Sequence, residues 1–201
     1  MRSNSNAMSS SLYVADSSNV KMSGCWIENS RGLPALVLLG RSSLLVNSTY
    51  FVNNKGNEIG AISATSYQIV NLTDCVFEGN SGSVASDVYL ANSELPSQIS
   101  HSSFSQSEGG SGILFEQASL LVYNCTVFNR RMSASLEQYA LNCRNCWSFV
   151  LDASIFEDLD VASTIRVLNI TQSQSRFSKI NITNSVFRNT AFYANGGAIS
   201  L

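Results

Sequence analysis

The feature that most constrains this chain is one residue pattern that occurs seven times. Each copy has two apolar residues at positions i and i+2, a gap of two residues, a small residue, and a large apolar residue two positions later. Recurrence at a period of about 20 to 50 residues is typical of a solenoid. The copies are Val20, Met22, Cys25, Ile27; Leu44, Val46, Thr49, Phe51; Val70, Leu72, Cys75, Phe77; Ser97, Ile99, Ser102, Phe104; Leu121, Tyr123, Thr126, Phe128; Phe149, Leu151, Ser154, Phe156; and Ile180, Ile182, Ser185, Phe187.

The gap inside each copy predicts a bend between two short strands. Apolar residues at i and i+2 indicate a strand with one buried face. After a gap of two residues, the next members of the pattern would face the opposite side of a straight strand, so the backbone must bend at the gap to keep them in the core. Nearly all of the gap residues are small or polar residues that favour turns. They are Ser23-Gly24, Asn47-Ser48, Thr73-Asp74, Ser100-His101, Asn124-Cys125, Asp152-Ala153 and Thr183-Asn184.

The period and the segments between the copies predict the fold. From Ile27 to Phe187 the copies recur about every 27 residues, and between them lie short apolar runs such as ALVLL (35–39), GAISA (60–64), DVYLA (87–91), GILF (112–115) and TIRVL (164–168). Three short strands per turn, each paired with its equivalent in the next turn, describe a right-handed parallel β-helix of about seven turns. A leucine-rich repeat has a similar period, but its LxxLxL core does not recur here.

The phasing also predicts a core column and a division of the chain. The large apolar residue of each copy is expected to stack on its equivalent in the next turn. Residues 1–16 are expected to be a polar N-terminal segment or a first partial turn, and residues 17–201 the β-helix domain. Because the chain stops on GGAISL, the start of a strand, we expect it to be a fragment of a longer solenoid. The predicted column is Ile27, Phe51, Phe77, Phe104, Phe128, Phe156 and Phe187.

Composition argues against two classes of partner. Apolar residues make up 44% of the chain and charged residues only 13%, with a net charge of −2. Lys and Arg are scattered and form no basic stripe, so nucleic-acid binding is not expected. No run of about 18 apolar residues exists, so no membrane span is expected in this chain. A surface built mainly from Ser, Thr and Asn suits an exported protein, whose signal and anchor would lie outside this sequence.

Two short motifs resemble those of a known family. FVNN (51–54) and FEGN (77–80) fit FxxN, and the chain ends on GGAI (196–199), with a looser IGAI at 59–62. This resembles the polymorphic outer membrane protein repeat of chlamydiae, a right-handed, pectin lyase-like β-helix that is also found in surface proteins of protists and other microbes. The resemblance implies an adhesin-like segment at the cell surface. Read physically, Phe stacks between turns, while Asn and Gly relieve strained corners.

Parallel β-helices also include polysaccharide-processing enzymes, so we searched for a catalytic set. The densest acidic run, FEDLD, holds Glu157, Asp158 and Asp160, and it follows the core residue Phe156 at a predicted solvated corner. The sole histidine, His101, falls in the bend, and GGSG (109–112) lacks the Lys of a phosphate loop. No catalytic residue, metal site or cofactor is therefore predicted.

The five cysteines do not form an obvious framework. Cys25 and Cys75 share the inward column two turns apart, about 9.6 Å, which is beyond disulfide reach, so both are expected to be buried free thiols. Cys125 is expected to point outward from the bend. Cys143 and Cys146 could form a disulfide with each other or stay reduced.

Acceptor triplets for N-glycosylation exceed chance. With 20 Asn and 8 Thr in 201 residues, about 0.8 Asn-x-Thr triplets are expected at random. Asn47 and Asn124 are predicted to share one phase of the repeat, and Asn71 and Asn181 another, so repetition explains part of the excess. In a bacterial protein the same triplets would be plain corner residues. The triplets begin at Asn47, Asn71, Asn124, Asn169 and Asn181.

The expected function is therefore structural. We predict a non-catalytic, extracellular or cell-surface scaffold that presents loops to a protein or glycan, with the polar insertion near 169–176 as the longest loop. The alternative is a pectin lyase-like enzyme that processes polysaccharide. An enzyme should stack charged residues from three successive turns in one groove, whereas a scaffold should show ladders of uncharged Ser and Asn.

Overall fold

The computed structural model describes residues 10–93, 95–128, 138–168, 179–192 and 197–200. These residues form 26 short strands joined by bends, with no helix among them, and every strand pairing is parallel. The architecture matches a right-handed parallel β-helix with three strands per turn, as the sequence predicts. No helix long and apolar enough to cross a membrane occurs in this part of the chain.

Three parallel sheets form the sides of the solenoid. Sheet 1 contains Leu12–Val14, Leu36–Leu39, Ile62–Thr65, Ser81–Ala91, Glu108–Glu116, Tyr139–Arg144, Ser163–Leu168 and Ile199–Ser200, with the short strands Arg31–Gly32 and Lys55–Gly56 at its side. Sheet 2 contains Asn19–Ser23, Ser43–Asn47, Ile69–Thr73, Ser97–Ser100, Ser119–Tyr123, Ser148–Asp152 and Lys179–Thr183. Sheet 3 contains Trp26–Glu28, Tyr50–Val52, Val76–Glu78, Ser103–Ser105, Thr126–Phe128, Ile155–Glu157 and Val186–Arg188, and a further pair joins Asp160–Val161 to Ala191–Phe192.

The chain visits the sheets in the order 1, 2, 3 and then begins the next turn. Sheets 2 and 3 each hold seven strands, so six complete turns separate the first strand of each from the last. The short apolar runs between the repeat copies lie in sheet 1, which confirms that part of the prediction. Sheet 1 also contains YALNCR (139–144), which the search for apolar runs did not identify.

Left-handed backbone makes the corners. The bend between sheets 2 and 3 has one residue with φ between 48° and 62° in every turn, and glycine fills only the first of these positions. Residues other than glycine rarely adopt this left-handed backbone conformation, and Asn and Asp adopt it more readily than most other residues. This confirms the bend inferred from the two-residue gap. The seven residues are Gly24, Ser48, Asp74, His101, Asn124, Ala153 and Asn184.

The two other corners are built in the same way. After sheet 3 the left-handed residues include Asn29, Asn53 and Asp158, and after sheet 1 they include Asn92 and Asn145. The repeat pattern predicted the corner between sheets 2 and 3 in every turn, and FVNN, FEGN and FEDLD indicated the corner after sheet 3 in three turns. No fixed apolar pattern marks the corner after sheet 1. A three-sided solenoid thus turns at one left-handed residue per corner in most of its described turns.

The fifth copy of the repeat is one residue out of the predicted phase. The buried residues of that turn are Leu120, Val122, Cys125 and Val127, whereas Tyr123 is exposed and Phe128 is only half-buried. Val127 pairs with Phe104 on one side and Phe156 on the other. The prediction that Phe128 belongs to the core column is therefore wrong, as is the outward position of Cys125. In this turn the left-handed residue is the first member of the predicted gap, Asn124, rather than the second.

The interior is a continuous apolar column. Ile27, Phe51, Phe77, Phe104 and Phe156 are buried, and Phe187 packs against this cluster while remaining half-buried. The rings of Phe51 and Phe77 lie 5.0 Å apart at 4°, and those of Phe77 and Phe104 lie 4.7 Å apart at 4°. Parallel in-register pairing places each ring on its equivalent in the next turn, so the repeat itself creates the stack.

Candidate functional site

A ladder of hydroxyl and thiol groups lines the corner between sheets 2 and 3. The ladder consists of Cys25, Thr49, Cys75, Ser102, Cys125, Ser154 and Ser185, and each side chain donates to the backbone oxygen two residues before it. Four of the hydroxyls also accept a hydrogen bond from the backbone N–H of the preceding turn, as Ser102 does from Cys75 at 3.1 Å. These four hydroxyls use both their donor and their acceptor capacity to satisfy backbone groups. The column is therefore structural.

The Asn residues of the two FxxN motifs form a second buried ladder. Asn80 accepts from the N–H and the Nδ2 of Asn54, both at 3.0 Å, and donates to the backbone oxygen of Phe51 at 2.9 Å and to Asp87 Oδ1 at 3.0 Å. Asn54 in turn accepts from the N–H of Ser30 and donates to the backbone oxygen of Ile27. The side chains of the motif Asn residues therefore satisfy polar groups at the corner that follows sheet 3. The left-handed residues of this corner are Asn53 and Gly79, one position before each motif Asn, rather than Asn54 and Asn80 themselves.

The fully buried Asp87 completes this network. Its Oδ1 accepts from Asn80 and from Ser107 Oγ at 2.8 Å, and its Oδ2 accepts from Ser86 Oγ at 3.0 Å. Ser107 occupies the third position after Phe104, where the first two motifs have Asn. A buried carboxylate must be hydrogen-bonded, and here the donors come from two successive turns. Sequence reasoning missed Asp87, since a single acidic residue in DVYLA carries no signal of burial.

Close backbone packing explains the glycines of the neighbouring corner. Gly82 lies so near the backbone of the same and the preceding turn that a Cβ would come within 2.5 Å of the carbonyl oxygens of Glu58 and Ala85. Gly109 has φ near +97° and would place a Cβ 2.4 Å from the carbonyl oxygen of Gly82. Sheet 1 has register shifts at this point. GGSG is thus an irregular part of the strand Glu108–Glu116, where glycine is required by both space and φ.

The cysteines differ in environment. Cys75 and Cys125 are buried free thiols; burial raises the pKa of Cys75, and it raises the pKa of Cys125 to about 11. Cys25, in the first described turn, is free but only half-buried, so the prediction that it is a buried thiol is wrong. Cys143 and Cys146 form a disulfide with Cα atoms 5.8 Å apart. Because the thiolate is the nucleophilic form, the raised pKa values of Cys75 and Cys125 disfavour a nucleophilic role for either residue.

The acidic and histidine side chains that were considered for catalysis have separate structural environments. His101 is an exposed bend residue whose ring meets the edge of Tyr123 at 5.4 Å. Glu157 pairs with Arg188 of the next turn, with Nε and Oε2 2.7 Å apart, and Asp158 is an exposed left-handed residue. Within the described ranges, no group of three or more His, Cys, Asp or Glu side chains is arranged to hold a metal ion.

The outward columns of the sheets are mostly uncharged. In sheet 3 one column reads Trp26, Tyr50, Val76, Ser103, Thr126, Ile155, Val186, without a charge in seven turns. In sheet 2 one column reads Lys21, Leu45, Asn71, Gln98, Leu121, Val150, Asn181. Among the strand residues whose pairing the structure describes, no outward column places charged residues on three successive turns.

A stacked pair of exposed aromatic side chains lies on sheet 3. The rings of Trp26 and Tyr50 stack with centroids 4.7 Å apart, and Trp26 Nε1 donates to Glu28 Oε2 at 3.0 Å. Trp26 is 50% exposed and Tyr50 41% exposed. Exposed Trp and Tyr side chains are enriched where proteins bind partners. The repeat phasing did not single out these residues, because they face outward.

Four of the five glycosylation triplets fall within the described residues, and all four lie on sheet 2 or its following bend. Asn71 and Asn181 occupy the same column, as predicted. Asn47 is the last residue of its strand and pairs with Thr73, whereas Asn124 lies one position further along, in the bend. The prediction that Asn47 and Asn124 share a phase is therefore wrong, for the same reason as at Phe128. Asn169 and the insertion at 169–176 lie outside the described residues.

No protein-family model, curated protein or solved structure matches this chain.

Proposed function

We propose that this chain is a non-catalytic β-helix segment of a secreted or cell-surface protein, a rigid scaffold that binds a surface protein or glycan. The resemblance of FVNN, FEGN and GGAI to the polymorphic outer membrane protein repeat first suggests this role. The observation that carries the proposal is that, among the described strand residues, no outward column places charged residues on three successive turns. A polysaccharide-cleaving β-helix needs a carboxylate pair, or an acidic site with a positioned base, gathered in one groove.

The polar side chains inside the described turns support the same role. The hydroxyl and thiol ladder and the Asn54–Asn80–Asp87 network are committed to backbone and corner groups of adjacent turns. Groups used in this way stiffen the stack and are not free to act on a substrate. A stiff solenoid with neutral sides suits the display of contact surfaces at a distance from an anchor.

The stacked Trp26–Tyr50 pair is the contact surface that we assign to this function. Two adjacent exposed rings offer a flat apolar surface, and Glu28 beside them adds a hydrogen-bond acceptor. Aromatic side chains provide large contact area with little loss of conformational entropy. We expect binding to depend on both rings together.

The location is tested on intact cells of the organism that produces the protein. Antibodies against the folded chain should label unpermeabilised cells or detect the protein in the medium. Labelling that appears only after permeabilisation would contradict the proposed location.

Adhesion is tested with fluorescently labelled protein on arrays of surface glycans and extracellular matrix proteins. The double variant Trp26→Ala/Tyr50→Ala should lose binding, while Tyr13→Ala, an exposed and unstacked aromatic on sheet 1, should retain it. Release of unsaturated or reducing sugar ends from polygalacturonate by the wild-type protein would favour the enzyme instead.

A further inference from the structure

The four described acceptor asparagines share one side of the solenoid. Asn71 and Asn181 lie in mid-strand on sheet 2, Asn47 ends the strand Ser43–Asn47, and Asn124 follows the strand Ser119–Tyr123. Asn47, Asn124 and Asn181 are exposed, and Asn71 is half-buried. Among the described residues, sheets 1 and 3 contain no acceptor asparagine of such a triplet, although Thr126, the last residue of the Asn124 triplet, begins a strand of sheet 3.

At the two mid-strand sites, the pleat of the strand places the Asn and the Thr of the triplet on the same outward face. Asn71 and Thr73 face outward while Leu72 between them is fully buried in the core. Asn181 and Thr183 face outward in the same way, with Ile182 packed against the core. Because side chains alternate with a period of two, an Asn-x-Thr triplet with an apolar central residue shows its Asn and Thr together.

An exposed apolar surface lies between the first two sites. Leu45 pairs with Asn71 and is 36% exposed. Leu45, Val46, Asn47, Asn71 and Thr73 line a shallow depression that is open to solvent. Leu45 is therefore next to both acceptor sites, beside Asn71 on the neighbouring strand and two residues before Asn47.

We propose that the outer face of sheet 2 is a glycan-bearing face, modified at Asn47, Asn71, Asn124 and Asn181 before the turns fold. The inference rests on the proposed function, since it requires passage through a eukaryotic secretory route. In the transfer, Asn Nδ2 bonds to the anomeric carbon of a lipid-pyrophosphate-linked oligosaccharide and loses one proton. The bond from that carbon to the pyrophosphate oxygen breaks, and the lipid pyrophosphate leaves with the electron pair.

The native backbone structure indicates that glycosylation must precede folding. Thr49 is fully buried and donates to the backbone oxygen of Asn47 at 3.0 Å, so the third residue of that triplet is closed to an enzyme. The strand Ile69–Thr73 is hydrogen-bonded to a neighbour on each side. An enzyme that must bind the triplet backbone therefore meets these sites only in the unfolded chain.

This arrangement leaves another side of the molecule open. The Trp26–Tyr50 pair lies on sheet 3, across the bend from the glycan-bearing face. Glycans on sheet 2 would be attached to a different side of the solenoid from the stacked rings. The partner of the proposed function would then approach sheet 3.

The first experiment maps the modified sites. The chain is secreted from a eukaryotic host behind a heterologous signal, and enzymatic deglycosylation in ¹⁸O-water marks each former glycan by Asn-to-Asp conversion. We expect marks at Asn47, Asn71, Asn124 and Asn181, and the loss of one glycan mass in each single Asn→Gln variant. An unmarked sheet 2 face, or marks confined to Asn169, would overturn the proposal.

The second experiment tests the timing. Unmodified bacterial protein is offered to solubilised oligosaccharyltransferase with its lipid-linked donor, either folded or freshly diluted from denaturant. The refolding chain should gain glycans at Asn47 and Asn71, and the folded chain should gain none there. Equal modification of both would show that folding does not close the sites. Surface labelling of intact producing cells remains a separate test of the proposed function, because a surface protein without glycans would fail only the present inference.

Discussion

The aromatic column of sheet 3 differs between the middle of the solenoid and its last described turns. In the middle, Phe51, Phe77 and Phe104 stack at 5.0 and 4.7 Å with planes 4° apart, and all three are buried. In the last turns, Phe156 and Phe187 stack at 5.2 Å and 12°, and Phe187 is half-buried. Val127 separates the two stretches. A ring is fully enclosed only when a turn packs on both of its sides, so position along the stack matters as much as residue type.

The largest effect should come from removing a ring in the middle. Phe77→Ala should lower the free energy of unfolding by about 3 to 5 kcal/mol, because it opens a cavity between two stacked rings. Phe187→Ala should cost clearly less, since that ring is already partly hydrated. Denaturant titration followed by circular dichroism gives both values, and equal losses at the two positions would contradict the comparison.

The corner beside the middle stretch should respond nearly as strongly. Asn80→Ala removes the acceptor of Asn54 and the donor to Phe51 and Asp87, and each orphaned buried group costs about 1 to 3 kcal/mol. We expect a total of about 2 to 4 kcal/mol in the same titration. Asn57→Ala, at an exposed position one turn earlier, is the matched control and should change stability by less than about 0.5 kcal/mol.

Thiol reactivity also compares an enclosed position inside the solenoid with a more exposed position near its end. The pKa of Cys125, raised by burial to about 11, implies roughly 100-fold less thiolate than an ordinary thiol at pH 8. In the native protein, iodoacetamide should modify the half-buried Cys25 first, with peptide mapping to identify the sites. If Cys125 were labelled as fast as Cys25, the buried position of Cys125 would be contradicted.

The break in the column can be tested directly. Val127→Phe would continue the ring stack between Phe104 and Phe156, but the cavity beside Val127 has room for at most about one water molecule. We expect overpacking to cost about 1 to 3 kcal/mol in thermal or denaturant unfolding. A gain in stability would show instead that the stack is continuous in shape and that valine leaves it underfilled.

The smallest effect should be a pH dependence in the last turns. Hydrogen bonds from Thr183 Oγ1 at 2.8 Å and Asn184 Nδ2 at 2.9 Å lower the pKa of Asp152. A lowered folded pKa stabilises the protein above the ordinary value of 3.8, and this contribution is lost as pH falls through the folded pKa.

The Tm difference between wild type and Asp152→Asn should therefore shrink as the pH falls from about 5 to about 2. Asp158→Asn, at an exposed corner, controls for the change in net charge. A Tm difference that stays constant across this pH range would show that ionised Asp152 does not stabilise the fold.

Much of the fold follows from local pattern. Alternation with a period of two, interrupted by turn-forming pairs such as Asn47-Ser48 and Thr73-Asp74, is enough to predict two strands and a bend. The recurrence of that unit predicts parallel stacking of equivalent strands. Position in the pattern also predicts the burial of Phe51 and Phe77, because the repeat fixes which face each side chain takes.

The fifth copy shows where local pattern fails. Leu120, Leu121, Val122 and Tyr123 are apolar at both parities, so alternation fits either frame in that segment. The structure resolves the choice through pairing: Leu120 and Val122 align with Phe149 and Leu151, and the hydroxyl-bearing Tyr123 is left in solvent. Burial of Cys125 and exclusion of Phe128 follow from that single shift.

The sequence by itself determined the period, the strand-bend-strand unit and the neutral composition of the surface, because these depend on neighbours along the chain. The tertiary structure alone decided which residues meet across turns: Asp87 with Asn80 and Ser107, Trp26 with Tyr50, and the acceptor asparagines on one side. Such contacts join residues of the same corner or of adjacent turns, and their partners depend on the exact length of each intervening loop. A one-residue change in that length moves every side chain of the next strand to the opposite face, so the faces can be assigned only after the strands are paired.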